Sequence, residues 1–304
     1  MKSEGCWGAN MGGSDFRHAA EAIRSDIERR LTSCGILCRV FGRGKDVASL
    51  SSKLAALDDD GETPKYSLGD KMVQDAIGIR VVLYFSDDID IAREILCASY
   101  VFHEGSSAID RPNNAEFAVT RYNLIFDVPD LYKTDVLRSI AGRPIDSTFE
   151  TQVRSVLSEG WHEVEHDLRY KQKQHWVGNE DLSRALNGIV AALETSEWGM
   201  RKIFDDLAYR QYKGGNWDAM LTLKMRMRVV GELDPSIKVV FDSDNDVAKK
   251  MLRIDRASFL IAYAERFMAV PLTLSNVVYV MNAISEISVK ITSITPARVL
   301  RLAS

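Results

Sequence analysis

Ten consecutive residues, from Ala76 through Ile77, Gly78, Ile79, Arg80, Val81, Val82, Leu83 and Tyr84 to Phe85, are almost entirely apolar and β-branched. A strand reads this way when both of its faces are covered, and the covering layers are normally helices. The chain is therefore expected to be α/β (α+β), a mixed sheet flanked by helices with this segment as the central strand. Neighbouring patterns agree. Phe16 to Leu31 sets Ala20, Ile23, Ile27 and Leu31 at helical spacing behind a Ser14/Asp15 cap signal. Ile36 to Phe41 reads as a short strand and Val47 to Leu57 as a helix. Ser86, Asp87 and Asp88 open another helix, with Ile91, Ile95 and Leu96 as its buried stripe up to about Ser99. Phe117 to Val128 follows as a strand after the long loop His103 to Glu116. Beyond Gly214 and Gly215 the alternation of Lys/Arg with Met and Val over Met220 to Val230 predicts a strand, while Val247 to Met268 and Asn276 to Ile287 read as helices. The expected division is a flexible stretch 1–15, a main domain 16–215 and a small C-terminal module 216–304.

Composition narrows the function. Of the 304 residues, 46% are hydrophobic and 27% charged, which is the range of folded globular chains. A net charge of -4 removes the overall basic footprint of a protein devoted to nucleic acid. Cys6, Cys34, Cys38 and Cys97 form no C-x-x-C pair, so reduced thiols are expected rather than structural zinc. No apolar run nears the ~20 residues of a membrane span, and Met1 to Asp15 does not read as a signal peptide. A cytoplasmic location with no membrane partner is the expectation.

The chemistry concentrates in a few places. In Thr148 to Arg154 the period of two puts Glu150, Gln152 and Arg154 on one strand face and Phe149, Thr151 and Val153 on the other. A helix starts near Ser155, with Leu157, Trp161, Val164 and Leu168 as its apolar stripe. Arg43, Lys45, Ser49 and Lys53 straddle a strand-to-helix junction and bring three cations and a hydroxyl to one end of the sheet, a cradle suited to a polyphosphate. Taken alone they describe a solvated basic face better. Asp75 at the mouth of the central strand and Glu150 are two carboxylates that could share one Mg²⁺.

Three further patterns compete. His162-Glu163-Val164-Glu165-His166 matches the H-E-x-x-H helix of zinc metalloproteases, but no metzincin continuation follows and a third ligand such as Glu180 would be needed. Arg169, Lys171 and Lys173 with Tyr170 and Trp176 read first as a solvated helix end and second as a nucleic-acid patch. Lys224, Arg226 and Arg228 between Met225, Met227 and Val229 read first as a half-buried strand and second as a tRNA-contacting edge. The segment Phe259 to Met268 fits core, a lid or an oligomer contact equally.

Four motifs occur in one order: Arg43-x-Lys45-x-x-x-Ser49-x-x-x-Lys53, Asp75-x-x-Gly78-x-Arg80, Glu150-x-Gln152-Val153-Arg154, and Trp161-x-x-x-Glu165-His166-x-x-x-Tyr170-Lys171. Together they resemble the synthetase domain of the RelA/SpoT family, makers of the alarmones pppGpp and ppGpp, over Phe16 to Lys173. The resemblance implies a nucleotidyltransferase-like fold with a sheet of about five strands, and a pyrophosphokinase using ATP as donor. It implies that Arg43, Lys45, Ser49 and Lys53 hold ATP phosphates, that Arg80 with Arg43 stacks on adenine, and that Asp75 and Glu150 carry Mg²⁺ and the catalytic step. Gln152, Arg154, His166 and Lys171 would shape the acceptor side or brace the site.

This chain departs from the family at one place. The usual Gly-Tyr-Arg-Ser-x-His loop is replaced by Glu116-Phe117-Ala118-Val119-Thr120-Arg121-Tyr122-Asn123, leaving Phe117 or Tyr122, with Arg121 beside it, as substitute acceptor contacts. The acceptor stays open between GDP or GTP by default, adenosine nucleotides, and the tRNA 3′ end as in toxic relatives; an antitoxin partner or a homo-oligomer is compatible with the same pattern. A degenerate fold that binds nucleotide without turnover is the non-catalytic alternative, and retention of both Asp75 and Glu150 argues against it. About forty residues precede Arg43, fewer than a hydrolase domain needs, so a synthetase-only chain is expected.

Overall fold

A computed structural model describes residues 13–58, 60–110 and 120–303, with side chains described from Asp15 onward. Residues 1–12 of the expected flexible start, with Cys6, and the segment from Arg111 to Val119, with Glu116 and Phe117, lie outside those residues, whereas residues 13–15 are corrected to the first turn of a helix, where the Asp15 carboxylate accepts the Ser139 hydroxyl. Five strands form one mixed sheet: β1 (Cys38–Gly44), β2 (Ile77–Leu83), β3 (Ala108–Asp110), β4 (Arg121–Asp127) and β5 (Thr148–Ser155), in the order β1-β2-β5-β4-β3. Only β2 and β5 run parallel; every other neighbouring pair is antiparallel. As expected from its continuous apolar run, β2 is interior to the sheet, and Ile77, Ile79, Val81 and Leu83 are buried.

Helices of the sheet half are α1 (Gly13–Ser33), α2 (Val47–Leu54), α3 (Asp88–Cys97), α4 (Asp130–Ile140) and α5 (Val156–Glu165). The buried face of α1 is the stripe read from its periodicity, with Ala20, Ile23, Ile27 and Leu31 all 2% exposed or less. This helix lies so close to β1 that a Cβ on Gly44 would sit 2.4 Å from the backbone nitrogen of Arg17, so only glycine fits there. On α5 the expected stripe is only half realised. Leu157 and Trp161 are partly covered, whereas Val164 and Leu168 are exposed and the buried positions are Ser158 and Glu159. The capping box between Ser155 and Ser158 orients the helix so that Glu159 points inward, to charged partners described below.

From α6 (Glu180–Lys213) onward the chain is helical: α7 (Trp217–Met225), α8 (Pro235–Ser243), α9 (Asn245–Leu252), α10 (Arg256–Ala262), α11 (Leu274–Ser285), α12 (Val289–Ile294) and α13 (Ala297–Ala303). The strand expected over Met220 to Val230 is therefore corrected to α7 and an irregular exit. Trp217, Met220, Leu221 and Met225 are buried at spacings of 3, 1 and 4, a helical stripe that outweighs the short alternation of charge that follows it. The single helix expected over Val247 to Met268 is broken before α10, where the Asp255 carboxylate accepts the backbone N–H of Ser258 and caps a new start. Among the described residues no helix is long and apolar enough to cross a membrane.

Candidate active site

Register divides the sheet into two chemically opposite faces. Pairing sets Phe41 and Arg43 of β1 opposite Arg80 and Gly78 of β2, then Gly78 and Arg80 opposite Glu150 and Gln152 of β5, then Gln152 opposite Asn123 of β4. Since residues of paired positions share a face, Arg43, Arg80, Glu150, Gln152, Arg154 and Arg121 all project to one side. The other side carries Val40, Ile79, Val81, Leu124, Phe126 and Val153, all buried in the apolar core.

Tyr122 belongs to that second side. It is fully buried, its hydroxyl donates to Asp90 of α3 at 2.5 Å, and no base can stack on it. The expectation that Tyr122 contacts the acceptor is thus overturned by strand alternation, which sends it to the face opposite Arg121. Tyr122→Phe should lower stability by about 1 kcal/mol in urea denaturation and leave the Michaelis constant of the acceptor within twofold; a tenfold rise in that constant would contradict the burial.

On the charged face a cavity of about 550 Å³ is lined by Arg43, Arg80, Glu150, Gln152, Glu159 and Phe41, among others. Its mouth adjoins an ion cluster. Lys45, just past β1, donates to Asp75 at 2.6 Å, and Lys53 on α2 donates to both Asp75 oxygens at 2.8 Å. Burial alone would raise the Asp75 pKa, but the two ammonium groups outweigh it and hold the carboxyl below its ordinary range. Lys45, only 17% exposed, is lowered by burial against the pull of Asp75, whereas for Lys53, 30% exposed, burial is overcome by Asp75 and the pKa is raised. Glu150 moves the opposite way to Asp75. Burial and the nearby Asp75 charge raise its pKa, against the Gln152 amide that donates to it at 3.1 Å.

Ser49 serves its own helix: its backbone N–H and hydroxyl both bond to the Asp46 carboxylate, the N-cap of α2. Arg80 is held at 2.6 Å from Glu159 and 2.5 Å from Glu163. The second oxygen of Glu159 meets Arg154 at 2.9 Å, and that guanidinium is only 3% exposed, with burial pulling its pKa down. Arg154 is consequently a brace. Arg121 pairs with Asp110 of β3 at 2.5 Å, toward the sheet edge. His166 and Lys171 both bond to Asp167, at 3.1 and 2.7 Å, on the turn after α5.

His162, His166 and Tyr170 stack in succession, with centroids 5.7 and 5.6 Å apart, and Lys173 lies 4.4 Å over the Tyr170 ring. Burial, helped by Arg154, lowers the His162 pKa to about 4. Among the described residues no group of three or more His, Cys, Asp or Glu converges to hold a metal. Glu180 instead accepts the backbone N–H of Gly178, so nothing described completes a zincin site. Two carboxylates with substrate phosphates do match what Mg²⁺ requires, and Asp75 with Glu150 is such a pair.

Two site residues were missed in the sequence. Glu159 bridges Arg80 and Arg154, and Phe41 is 54% exposed between Arg39 and Arg43 on the charged face, an open ring beside cations. The alternation Arg39-x-Phe41-x-Arg43 carried that signal, since an aromatic residue in step with two arginines shares their face.

One face of the sheet thus gathers arginines around Glu150, with Lys45, Lys53 and Asp75 near that carboxylate. Residues 42–175 match the family described as the region found in RelA / SpoT proteins. GTP pyrophosphokinase YjbM of Bacillus subtilis (strain 168) is 28% identical over 132 residues, 43% of this chain and 56% of that protein, so the match spans little more than half the relative's length. The crystal structure of the small alarmone synthetase 1 from Bacillus subtilis is 25% identical, with 62% of this chain and 92% of that chain covered at a TM-score of 0.44. A GTP pyrophosphokinase family protein from Streptococcus pneumoniae is 19% identical, with 65% and 93% covered at a TM-score of 0.43.

Proposed function

We propose that this chain is a pyrophosphokinase that transfers the β,γ-pyrophosphate of ATP to the 3′-hydroxyl of a guanosine nucleotide. The observation that carries the reading is the Lys45/Lys53/Asp75 cluster set against Glu150, whose raised pKa departs from that of Asp75. Two carboxylates with separated proton affinities divide labour: the lowered one stays ionised, the raised one can take a proton. Mg²⁺, held by Asp75 and Glu150, would supply charge neutralisation at the polyphosphate.

Lys45 and Lys53 would turn from Asp75 to the donor phosphates, and Arg43 extends that row along β1. Phe41 and Arg80 offer flat surfaces for a base. The acceptor oxygen forms a bond to the β-phosphorus, the bond from that phosphorus to the α,β-bridging oxygen breaks, and AMP leaves with the electron pair. Glu150 accepts the hydroxyl proton. Guanosine is favoured as acceptor because the curated relative is named a GTP pyrophosphokinase.

The test is transfer of label from β-³²P ATP, with Mg²⁺, to GDP, GTP, ADP or bulk tRNA offered separately. Label on a guanosine nucleotide supports the reading; label on ADP or tRNA alone refutes the acceptor assignment, and no transfer to any of them refutes the activity. Since burial and Asp75 raise the pKa of Glu150 in the free chain, kcat/KM should fall as pH drops through a value above the usual carboxylate range. A pH profile at substrate concentrations well below saturation checks this, and a limb at or below the ordinary value would rule out a raised Glu150 pKa in the free chain as the source of the profile.

A further inference from the structure

A second cavity, of about 650 Å³, shares no lining residue with the first. It opens between the start of α3, the middle of α6, the end of α7 and the start of α10. Basic side chains outnumber acidic ones six to three along its lining. Two of the three acids are engaged: Asp87 pairs with Arg226, and Asp255 caps α10. Among the described residues Arg201, Lys224 and Arg253 make no ion pair within 4 Å, although Arg201 acts on Glu197 and Lys224 on Asp255 by charge, so the lining is basic on balance.

Two features mark it as built to receive something. Arg201 Nε, Arg226 Nε and Arg256 Nη2 are buried donors without an acceptor, and they come from three different elements around one space. Unsatisfied buried donors are uncommon in folded proteins and call for a partner. Arg226 is the left-handed C-cap of α7, its backbone N–H donating to the Thr222 carbonyl. Contacts hold it there: its guanidinium lies 4.8 Å over the Phe85 ring and pairs with Asp87, while Arg256 pairs with the fully buried Asp88. Finally, Trp198 is 53% exposed at the same cavity, an open indole face beside cations.

Surplus guanidinium groups suit phosphate oxygens, an exposed indole suits a base, and the volume exceeds what inorganic phosphate needs. We infer that this cavity binds a nucleoside polyphosphate, with its phosphates on Arg201, Lys224 and Arg253 and its base on Trp198. The inference does not depend on the reaction proposed for the first cavity.

The test disables the first cavity with Arg43→Ala/Lys53→Ala and titrates the full chain with a GTP analogue bearing a fluorescent methylanthraniloyl group on the ribose. One equivalent should still bind. Adding Lys224→Glu and Arg253→Glu should weaken that binding at least tenfold, and Trp198→Ala several-fold, with circular dichroism and melting temperature unchanged. Should the charge-reversed pair fail to fold, Lys224→Ala and Arg253→Ala taken singly should each weaken binding three- to fivefold. Unlabelled GTP and ATP should compete at least tenfold better than inorganic triphosphate. No saturable binding in the Arg43→Ala/Lys53→Ala chain would overturn the inference, as would unchanged affinity in the Lys224 and Arg253 variants. Equal competition by triphosphate, with Trp198→Ala silent, would overturn the nucleoside part.

Discussion

Glu150→Gln should lower the rate of pyrophosphate transfer by ~10²–10⁴-fold, the span associated with losing a positioned general base, while ATP binding changes by only a few-fold. Glutamine keeps the shape and the hydrogen-bonding capacity of the side chain, so the fold is preserved. Stability should hold or rise slightly, because folding raises the pKa of this carboxyl through burial and the neighbouring Asp75 charge, and the neutral amide escapes both. The opposed signs separate a catalytic role from a structural one. Initial rates of label transfer, equilibrium dialysis with ATP and a thermal melt together make the measurement. A variant that transfers at the native rate removes Glu150 from the chemistry, and one that loses activity and stability in parallel makes it a structural residue.

Glu159→Ala should cost ~3–5 kcal/mol of folding free energy, the loss expected when one member of a buried ion pair is removed and its partner stays buried. Its two oxygens hold Arg80 at 2.6 Å and Arg154 at 2.9 Å, and Arg154 is 3% exposed. Glu163, which also holds Arg80, is 49% exposed, and Glu163→Ala should cost under ~1 kcal/mol because solvent can replace it. Urea denaturation reads both: the midpoint of Glu159→Ala should drop sharply at constant slope, and that of Glu163→Ala should barely move. Comparable small losses in the two variants would show that Arg154 finds another partner and that Glu159 does not brace the sheet.

What could be read from the sequence was what depends on near neighbours. The buried central strand announced itself as an unbroken apolar run, and the alternation along β5 correctly placed Glu150, Gln152 and Arg154 on one face. The same rule applied to β4 would have separated Arg121 from Tyr122; the resemblance to a stacking loop drew attention to the aromatic ring instead. Helix α6 escaped notice for a different reason. Of its 34 residues only Val190, Ala208 and Tyr212 are buried, and Leu182, Ile189, Trp198 and Ile203 stay exposed, so its apolar spacing is not matched by burial in this fold. In α7 the misleading signal was local: Lys224 to Val229 alternates like a strand, but the burial that decides its neighbourhood comes from Trp217, Met220, Leu221 and Met225 upstream. Glu159 could not have been singled out, since one acid among several on a helix acquires its role only when β2 and β5 bring Arg80 and Arg154 to the same carboxylate.

The pairing of Lys45 and Lys53 with Asp75, and of Arg80 with Glu159 and Glu163, means that the site is electrically settled before any substrate arrives. A polyanion entering alone would take the lysines and strand Asp75 without a counter-charge, whereas one that arrives with a divalent cation leaves every charge matched. On the proposed reading, substrate entry would be an exchange of partners rather than an accumulation of charge, and a nucleotide lacking its cation would be discriminated against by the same carboxylates that the cation would occupy.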